Sequence, residues 1–282
     1  MVCGGSMRKY GMLVLAPLVL VACSGGDGGS GGAKGGGPAS ASASGSASAS
    51  GSASASASAS ASGPADTGGI DVDPARLPAS RAGAQAFIDR VIADPDTFGP
   101  GVVKRSPYES DPATWPVLGT DCVWQQKKPA DSVLATRTRS FEVPAAGGKG
   151  PLRLSAVVTV HRTRDDARWE MAESVEETMR CPTQQLRQGE LIGSMISSSL
   201  AEGEGTQVNS EDALDEMGQY QSEELGGGPY PYSWQQAQVL RFTVAVTGKG
   251  AKGWSQQEID ALTVQAQATM LVRVKSAVEK QS

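Results

Sequence analysis

A tract made almost wholly of glycine, serine and alanine limits where this chain can fold. It extends from Ser24 to Gly69, and alanine and serine alternate over residues 39–62 apart from two glycines. Such residues bury too little apolar surface to offset the entropy of an ordered chain, and they lack the bulk that favours strands. We therefore predict a disordered linker over residues 23–70 and one folded domain over residues 71–282.

The segment before the linker has the order of a secretory signal peptide. A basic pair stands at residues 8–9, residues 11–21 are apolar, and a small alanine precedes Cys23. This order is typical of an exported chain whose signal is removed. The alternative is an uncleaved membrane anchor, which needs roughly 20 consecutive apolar residues. Because the run is shorter and contains a proline, we predict a cleaved signal peptide over residues 1–22.

The last four residues of this segment, Leu-Val-Ala-Cys, resemble the lipobox of bacterial lipoproteins. In that family the cysteine thiol receives a diacylglyceryl group, the signal is cut just before it, and the new amino terminus is usually acylated. The resemblance implies that Cys23 is the lipidation site, with palmitate among its acyl chains. It also implies a lipoprotein anchored to the extracytoplasmic face of the cell membrane. The linker would then hold the domain roughly 35–40 Å from the bilayer.

The charge of the chain is mildly acidic, with a formal net charge of −5 at pH 7. This balance argues against a nucleic-acid partner. The acidic residues concentrate between Arg187 and Arg241, where there is no Lys or Arg. We predict that this segment is a solvated, partly flexible excursion. A calcium site is the alternative, because carboxylates are its preferred ligands, although no EF-hand spacing is present.

Two cysteines remain in the folded part once the lipidation site and Cys3, which lies in the signal, are set aside. An even pair in an exported domain is most economically a disulfide, here between Cys122 and Cys181. The alternative is a redox-active or nucleophilic thiol, which needs an activating histidine or a Cys-x-x-Cys partner. Neither is present in the sequence.

Hydrophobic periodicity and capping residues predict an α+β domain. A helix is predicted over residues 81–93 after the N-cap Ser80, and another is predicted to begin at the capping box Ser255–Glu258. Alternation of apolar residues predicts strands, with a Gly-rich turn between two of them. Strands in succession with helices between and after them favour an antiparallel sheet flanked by helices. The remaining predicted elements are strands at 122–126, 133–143, 153–162, 219–223 and 238–247, and a helix at 164–180.

The order of these elements resembles the extracellular sensor domain of the PknH-type mycobacterial serine/threonine kinases. The resemblance consists of a cysteine at a strand start, two hairpin strands, a helix ending in cysteine, the strand VLRFTVAVTG and an amphipathic C-terminal helix, over roughly Pro78 to Ser276. The same domain occurs in actinobacterial lipoproteins. It implies a sensor-like module with an open cleft beside the sheet. Two features differ from the family: Thr178 stands where a tryptophan is usual, and no cysteines remain for a second disulfide.

The sequence contains none of the common catalytic constellations. There is no nucleophile elbow, H-E-x-x-H, P-loop or G-x-G-x-x-G in the folded part. His161 is the one histidine, so multi-histidine zinc binding is impossible, and we interpret it as a surface or sheet-face residue. Glu173, Glu176 and Glu177 imitate a carboxylate pair, but we interpret them as surface charge on a helix. We therefore predict no catalytic residue, no metal and no cofactor.

Three aromatic residues after a glycine hinge are the candidate ligand-binding residues. Tyr230, Tyr232 and Trp234 alternate, which places their rings on one face of a strand. Aromatic faces suit carbohydrate, peptide or lipid ligands. The alternative is that they form a small satellite core beneath the acidic segment. For Trp115, Trp124 and Trp169 the same two interpretations apply, and core packing is favoured.

The sequence therefore favours a lipid-anchored cell-surface module that binds a ligand and has no catalytic activity. The partner expected is a small molecule, a cell-wall fragment or another envelope protein, in addition to the membrane that holds the anchor. Two alternatives stay open. One is a hydrolase or transferase that acts on envelope polymers through a carboxylate site, and the other is a structural or chaperone-like envelope lipoprotein.

Overall fold

The computed structural model of the chain describes residues 70–200 and 210–280. The predicted signal peptide, Cys23 and the linker up to residue 69 lie outside the described residues, and Ile70, the last residue of the predicted linker, is buried in the core. Within them the predicted α+β class is confirmed: an antiparallel eight-stranded sheet has the strand order β1-β4-β5-β10-β9-β8-β7-β6, and β2 and β3 form a separate hairpin. No helix in this described part is long and apolar enough to cross a bilayer. The strands are β1 (Val103–Glu109), β2 (Trp115–Leu118), β3 (Trp124–Lys127), β4 (Val133–Val143), β5 (Leu152–His161), β6 (Gln184–Arg187), β7 (Glu190–Leu200), β8 (Asp212–Ser222), β9 (Gly227–Val239) and β10 (Phe242–Lys249), and the helices are α1 (Arg81–Val91), α2 (Pro95–Phe98), α3 (Arg164–Arg180) and α4 (Gln256–Val278).

One face of the sheet is apolar and carries the main hydrophobic core. Alternate residues of β5 and β10 point to this face, and α1, α2 and α4 cover it. Phe87 of α1 stacks on Phe242 of β10 with ring centroids 4.6 Å apart. Gly248 permits close contact between β10 and α4, because a Cβ there would lie 2.2 Å from Cγ2 of Ile259.

The opposite face of the sheet is polar and is covered in part by α3. This helix packs against β5 and against β7 to β10. Buried hydroxyl and amide side chains replace the usual apolar residues beneath it, among them Thr159, Thr243, Gln236 and Gln238. The helix therefore contacts the sheet through directed hydrogen bonds more than through an apolar stripe.

The predicted disulfide is confirmed. Cys122 and Cys181 are bonded, with their Cα atoms 5.6 Å apart. Cys181 is the C-cap of α3, and Cys122 lies just before β3, so the bond ties the β2–β3 hairpin to the end of the helix. A hydrogen bond of 3.1 Å from the Arg180 guanidinium to the Gly119 carbonyl strengthens the same connection.

Local capping explains why several helix starts match the prediction. Ser80 accepts a hydrogen bond from the Gly83 amide at the start of α1, and Thr163 and Asp166 form a reciprocal capping box at the start of α3. Ser255 and Glu258 do the same for α4. Each box satisfies amide groups that the first helical turn leaves without partners.

The single strand predicted over residues 238–247 is wrong. β9 ends at Val239, β10 begins at Phe242, and a two-residue turn of Leu240 and Arg241 joins them. Leu240 has a φ of +53°, a conformation that a leucine rarely adopts. Contacts from outside the hairpin hold the turn, since the Arg241 guanidinium donates a 2.7 Å hydrogen bond to the Pro78 carbonyl.

The acidic segment is not a solvated excursion within its described residues. Most of it forms the paired strands β7, β8 and β9. Glu190 and Glu216 are buried, and Glu211 accepts a 2.6 Å hydrogen bond from Arg164. These three carboxylates therefore act as hydrogen-bond acceptors within the fold.

The inward side of α3 is not a continuous apolar stripe. Ala167 and Met171 are buried, but the third buried position is Thr178, and Met179 is 78% exposed. Trp169 is 69% exposed, which contradicts the expected core packing for this residue. The physical reason is that this helix faces a polar sheet surface, so its apolar residues do not mark its inward side.

Candidate ligand-binding cavity

A cavity of about 480 Å³ lies on the polar face of the sheet. Its walls are the C-terminal half of α3, the β2–β3 hairpin and the strand β6, and its floor is the sheet itself. The volume is in the range of small-molecule binding sites. The floor is rich in hydroxyl groups, which come from Thr136, Thr138, Ser140, Ser155 and Thr247.

Hydrogen bonds to the floor fix α3 along its length. Glu170 accepts a 2.7 Å bond from the Thr243 hydroxyl and a 2.8 Å bond from the Gln236 amide. One turn later, Ser174 donates to Gln236 at 2.7 Å. Because Gln236 bonds to residues on two successive turns of the helix, α3 is held in place above the floor.

His161 lies on the sheet face opposite the main core, as predicted, but α3 buries it. Its Nε2 atom is 2.6 Å from Oε2 of Glu170. The Thr243 hydroxyl is 3.5 Å from the same nitrogen. These contacts assign the histidine to the attachment of α3, and it does not line the cavity.

Aromatic side chains line the cavity on two sides. Trp115 and Trp124 come from the disulfide-tethered hairpin, and Tyr232 and Trp234 come from β9. The Trp124 indole donates a 2.9 Å hydrogen bond to the Gln184 side chain, which orients its ring. Tryptophan supplies a large, rigid apolar surface, so this wall suits the flat or aliphatic part of a ligand.

The structure brings two of the three predicted ligand-binding aromatic residues to the cavity. Tyr232 and Trp234 line it, whereas Tyr230 does not. Tyr230 instead donates a 2.7 Å hydrogen bond to the Leu225 carbonyl and packs on a second hydrophobic cluster. Tyr232 is buried within that cluster, which is the satellite core considered as the alternative. Its burial raises the pKa of its hydroxyl well above the usual range.

Carboxylates from α3 and β8 form the acidic side of the cavity. Burial raises the pKa of Glu177 to about 7, against an opposing hydrogen bond from the Leu118 backbone. Burial also raises the pKa of Glu216, although hydroxyl groups of Ser197 and Thr178 donate to it. The pKa of Glu173 is raised in the same direction, chiefly by desolvation.

Glu177 corrects the prediction that α3 carries only surface charge. Glu173 and Glu176 are exposed as expected, although Glu173 borders the cavity, whereas Glu177 is half-buried and lines the cavity together with Glu216. The pattern of charges in the sequence gives no sign of this, because it assigns the polar side of a helix to solvent. The helix instead turns that side towards a polar sheet face.

Basic side chains occupy another part of the wall. Arg153 donates to Glu190 at 2.6 Å and to the Tyr220 hydroxyl at 3.1 Å, and both charged groups are buried. Arg187 donates to the same Glu190 carboxylate at 2.5 Å. Lys249 lies beside them, and burial lowers its pKa to about 8, opposed chiefly by the nearby Glu190.

Comparisons with known proteins add little to this geometry. No family model matches the chain, and no curated protein matches it. Among solved structures, the chain is similar to the extracellular domain of PknH from Mycobacterium tuberculosis, with 12% identity and a TM-score of 0.45. The match covers 71% of this chain and 99% of that one. At this level of similarity, function has to be argued from the chain's own residues.

Proposed function

We propose that this chain is a lipid-anchored, extracytoplasmic ligand-binding module, sensor-like and without catalytic activity. The cavity on the polar face of the sheet is the observation that carries the proposal. A 480 Å³ space with a hydroxyl-rich floor, tryptophan walls and charged groups on two sides has the character of a small-molecule site. A structural role alone gives no reason for this many polar groups to converge.

Ligand binding is tested by thermal unfolding of the full-length protein against cell-wall fragments, neutral oligosaccharides, short peptides and lipids. A bound ligand stabilises the folded state, so a true ligand raises the melting temperature in a concentration-dependent way. Trp234→Ala removes a cavity wall and should abolish the shift. Trp169→Ala is the matched control, because that indole is exposed on the outer side of α3. Absence of any shift across the panel would contradict the binding function.

The lipid anchor is a separate part of the proposal and rests on the segment that ends at Cys23. Bacteria that express the chain are grown with an alkyne-labelled palmitate, and the labelled protein is detected after extraction. Wild-type protein and Cys3→Ser should be labelled, whereas Cys23→Ser should lose the label and leave the membrane fraction. Equal labelling of the Cys23→Ser variant would overturn the anchor site.

A hydrolase or transferase acting on envelope polymers is the second candidate function. The observation that favours it is Glu177, whose pKa of about 7 suits a general acid, beside the second cavity carboxylate Glu216. Labelled peptidoglycan is incubated with wild-type protein and with Glu177→Gln. Turnover that the substitution abolishes would establish an enzyme and replace the non-catalytic function.

A further inference from the structure

The ammonium of Lys249 forms no hydrogen bond or ion pair with the described part of the chain. Its side chain lines the cavity, and its Nζ atom lies 5.7 Å from the centroid of the Tyr220 ring. The neighbouring carboxylate Glu190 is already held by Arg153 and Arg187. A partly buried cation without a counter-charge is costly, so the cavity is short of one anion at this position.

The opposite imbalance exists on the acidic side. Glu177 and Glu216 line the cavity, and no Lys or Arg of residues 70–200 and 210–280 lies within ion-pair distance of either carboxylate. The polar groups that reach Glu216 are neutral hydroxyls. Arg180, the cation closest in sequence to Glu177, is bonded to Glu176 and to the Gly119 carbonyl. This side of the cavity is therefore short of a cation.

Sheet register fixes how these two sides are spaced. Trp234 of β9 pairs with Glu216 of β8 on one side and with Thr247 of β10 on the other. Lys249 lies two residues beyond Thr247, on the same face. Two strand spacings across and two residues along place the Cα atoms of Glu216 and Lys249 roughly 12 Å apart. Trp234 stands on the strand between them, and its side chain lines the cavity.

We propose that the cavity binds a zwitterionic ligand, an amine-bearing short peptide whose ammonium meets Glu177 and Glu216 and whose carboxylate meets Lys249. The middle of the ligand would lie against Trp234. An extended peptide spans about 3.3–3.6 Å per residue, so about two to four residues cover the distance between the charged groups. This inference rests on the proposed binding function and names its ligand class.

The same arrangement provides specificity. A neutral ligand of equal size displaces water from both sides and leaves the cation and the carboxylates unpaired, which costs more than leaving them solvated. A ligand with one charge satisfies one side and leaves the other. The cavity should therefore discriminate by charge position rather than by the identity of the side chains in the ligand.

Titration calorimetry on the full-length protein tests the proposal with trialanine, N-acetyl-trialanine and trialanine amide. Acetylation removes the ammonium and amidation removes the carboxylate, while size barely changes. Each capped peptide should bind at least about tenfold more weakly than trialanine, which corresponds to about 1.4 kcal/mol. Equal affinity of trialanine and both capped forms would overturn the proposal.

Variants assign each charge of the ligand to one side of the cavity. Lys249→Gln should erase the difference between trialanine and its amide, and Glu177→Gln with Glu216→Gln should erase the difference between trialanine and its acetylated form. Lys252→Gln and Asp165→Asn are the matched controls, since both side chains are exposed and neither lines the cavity, and they should leave all affinities unchanged. Circular dichroism verifies that each variant is folded. Persistence of both differences in the cavity variants would overturn the assignment.

A neutral oligosaccharide in the same titration separates this inference from the function on which it rests. If a neutral disaccharide binds in a Trp234-dependent way while trialanine does not, the binding function stands and the zwitterion proposal is wrong. If neither binds and no compound in the wider panel shifts the melting temperature, both are wrong.

Discussion

The hydroxyl of Thr178 in α3 donates a 2.6 Å hydrogen bond to the carboxylate of Glu216 in β8. The two residues lie 38 positions apart in the chain, and both are buried. This bond holds the C-terminal half of α3 above the floor of the cavity. It also opposes the rise that burial imposes on the pKa of Glu216.

Thr178→Val should therefore destabilise the protein and raise the pKa of Glu216 further. Removal of one donor to a buried carboxylate costs about 1–3 kcal/mol in the free energy of unfolding at pH 7. The loss should shrink at low pH, where the carboxylate is protonated. Urea unfolding at pH 7 and pH 4 measures both effects. Thr269→Val is the control, since that hydroxyl bonds to the backbone of its own helix, and an equal loss in both variants would contradict this role.

Glu177→Gln should stabilise the protein above neutral pH. The folded-state pKa of about 7 lies above the usual 4.5, so the folded state holds its proton longer than the unfolded state. Stability from this group is present below about pH 4.5 and is lost as the pH rises through 7. The gain from the substitution at pH 8 should reach about 1–3 kcal/mol and vanish near pH 4. Unfolding midpoints at both values measure it, with Glu176→Gln as an exposed control; a pH-independent gain would contradict the shifted pKa.

Loss of the disulfide should weaken the fold and the cavity together. Cys122 and Cys181 close a loop of 59 residues, and the paired substitution Cys122→Ala and Cys181→Ala should lower the free energy of unfolding by about 2–4 kcal/mol. The hairpin that carries Trp115 and Trp124 also loses its tether to α3. Non-reducing peptide mapping identifies the bond, and unfolding with and without reductant measures its effect. Identical stability of wild-type protein in both conditions would contradict the expectation.

Phe242→Ala should be among the most damaging single changes in the main core. The side chain is fully buried and stacks on Phe87, so its removal loses aromatic packing and leaves a cavity. A loss of about 3–5 kcal/mol is expected from truncation of a buried phenylalanine. Chemical denaturation measures it, and Val272→Ala on the exposed side of α4 should change stability by less than about 0.5 kcal/mol. Comparable losses of stability in the two variants would contradict the position of Phe242 in the main core.

The sequence predicts best those elements whose signals are local. The bounds of β4 at 133–143 and of α3 at 164–180 agree with the prediction, because alternation marks the strand and a capping box marks the helix start. The disulfide follows from the even number of cysteines that remain in a chain predicted to be exported. In each case the information lies within a few residues or in a simple count.

The remaining features depend on contacts that the sequence pattern does not display. A hairpin turn of two residues is usually marked by Asn-Gly or a similar pair, and Leu240-Arg241 carries no such mark. The inward position of Glu177 and Thr178 depends on α3 lying over a polar face. Since a polar residue on a helix usually faces water, periodicity alone points the wrong way. The acidic side of the cavity was therefore missed.

The disulfide between the β2–β3 hairpin and α3 determines when the cavity wall is complete. Two tryptophans of the binding wall stand on a hairpin whose attachment to the helix is covalent, and such a bond forms in oxidising surroundings and not in the reducing cytoplasm. A copy in which the two cysteines are reduced is thus expected to lack a finished wall. Under the proposed function, ligand capture would therefore begin only after the disulfide has formed.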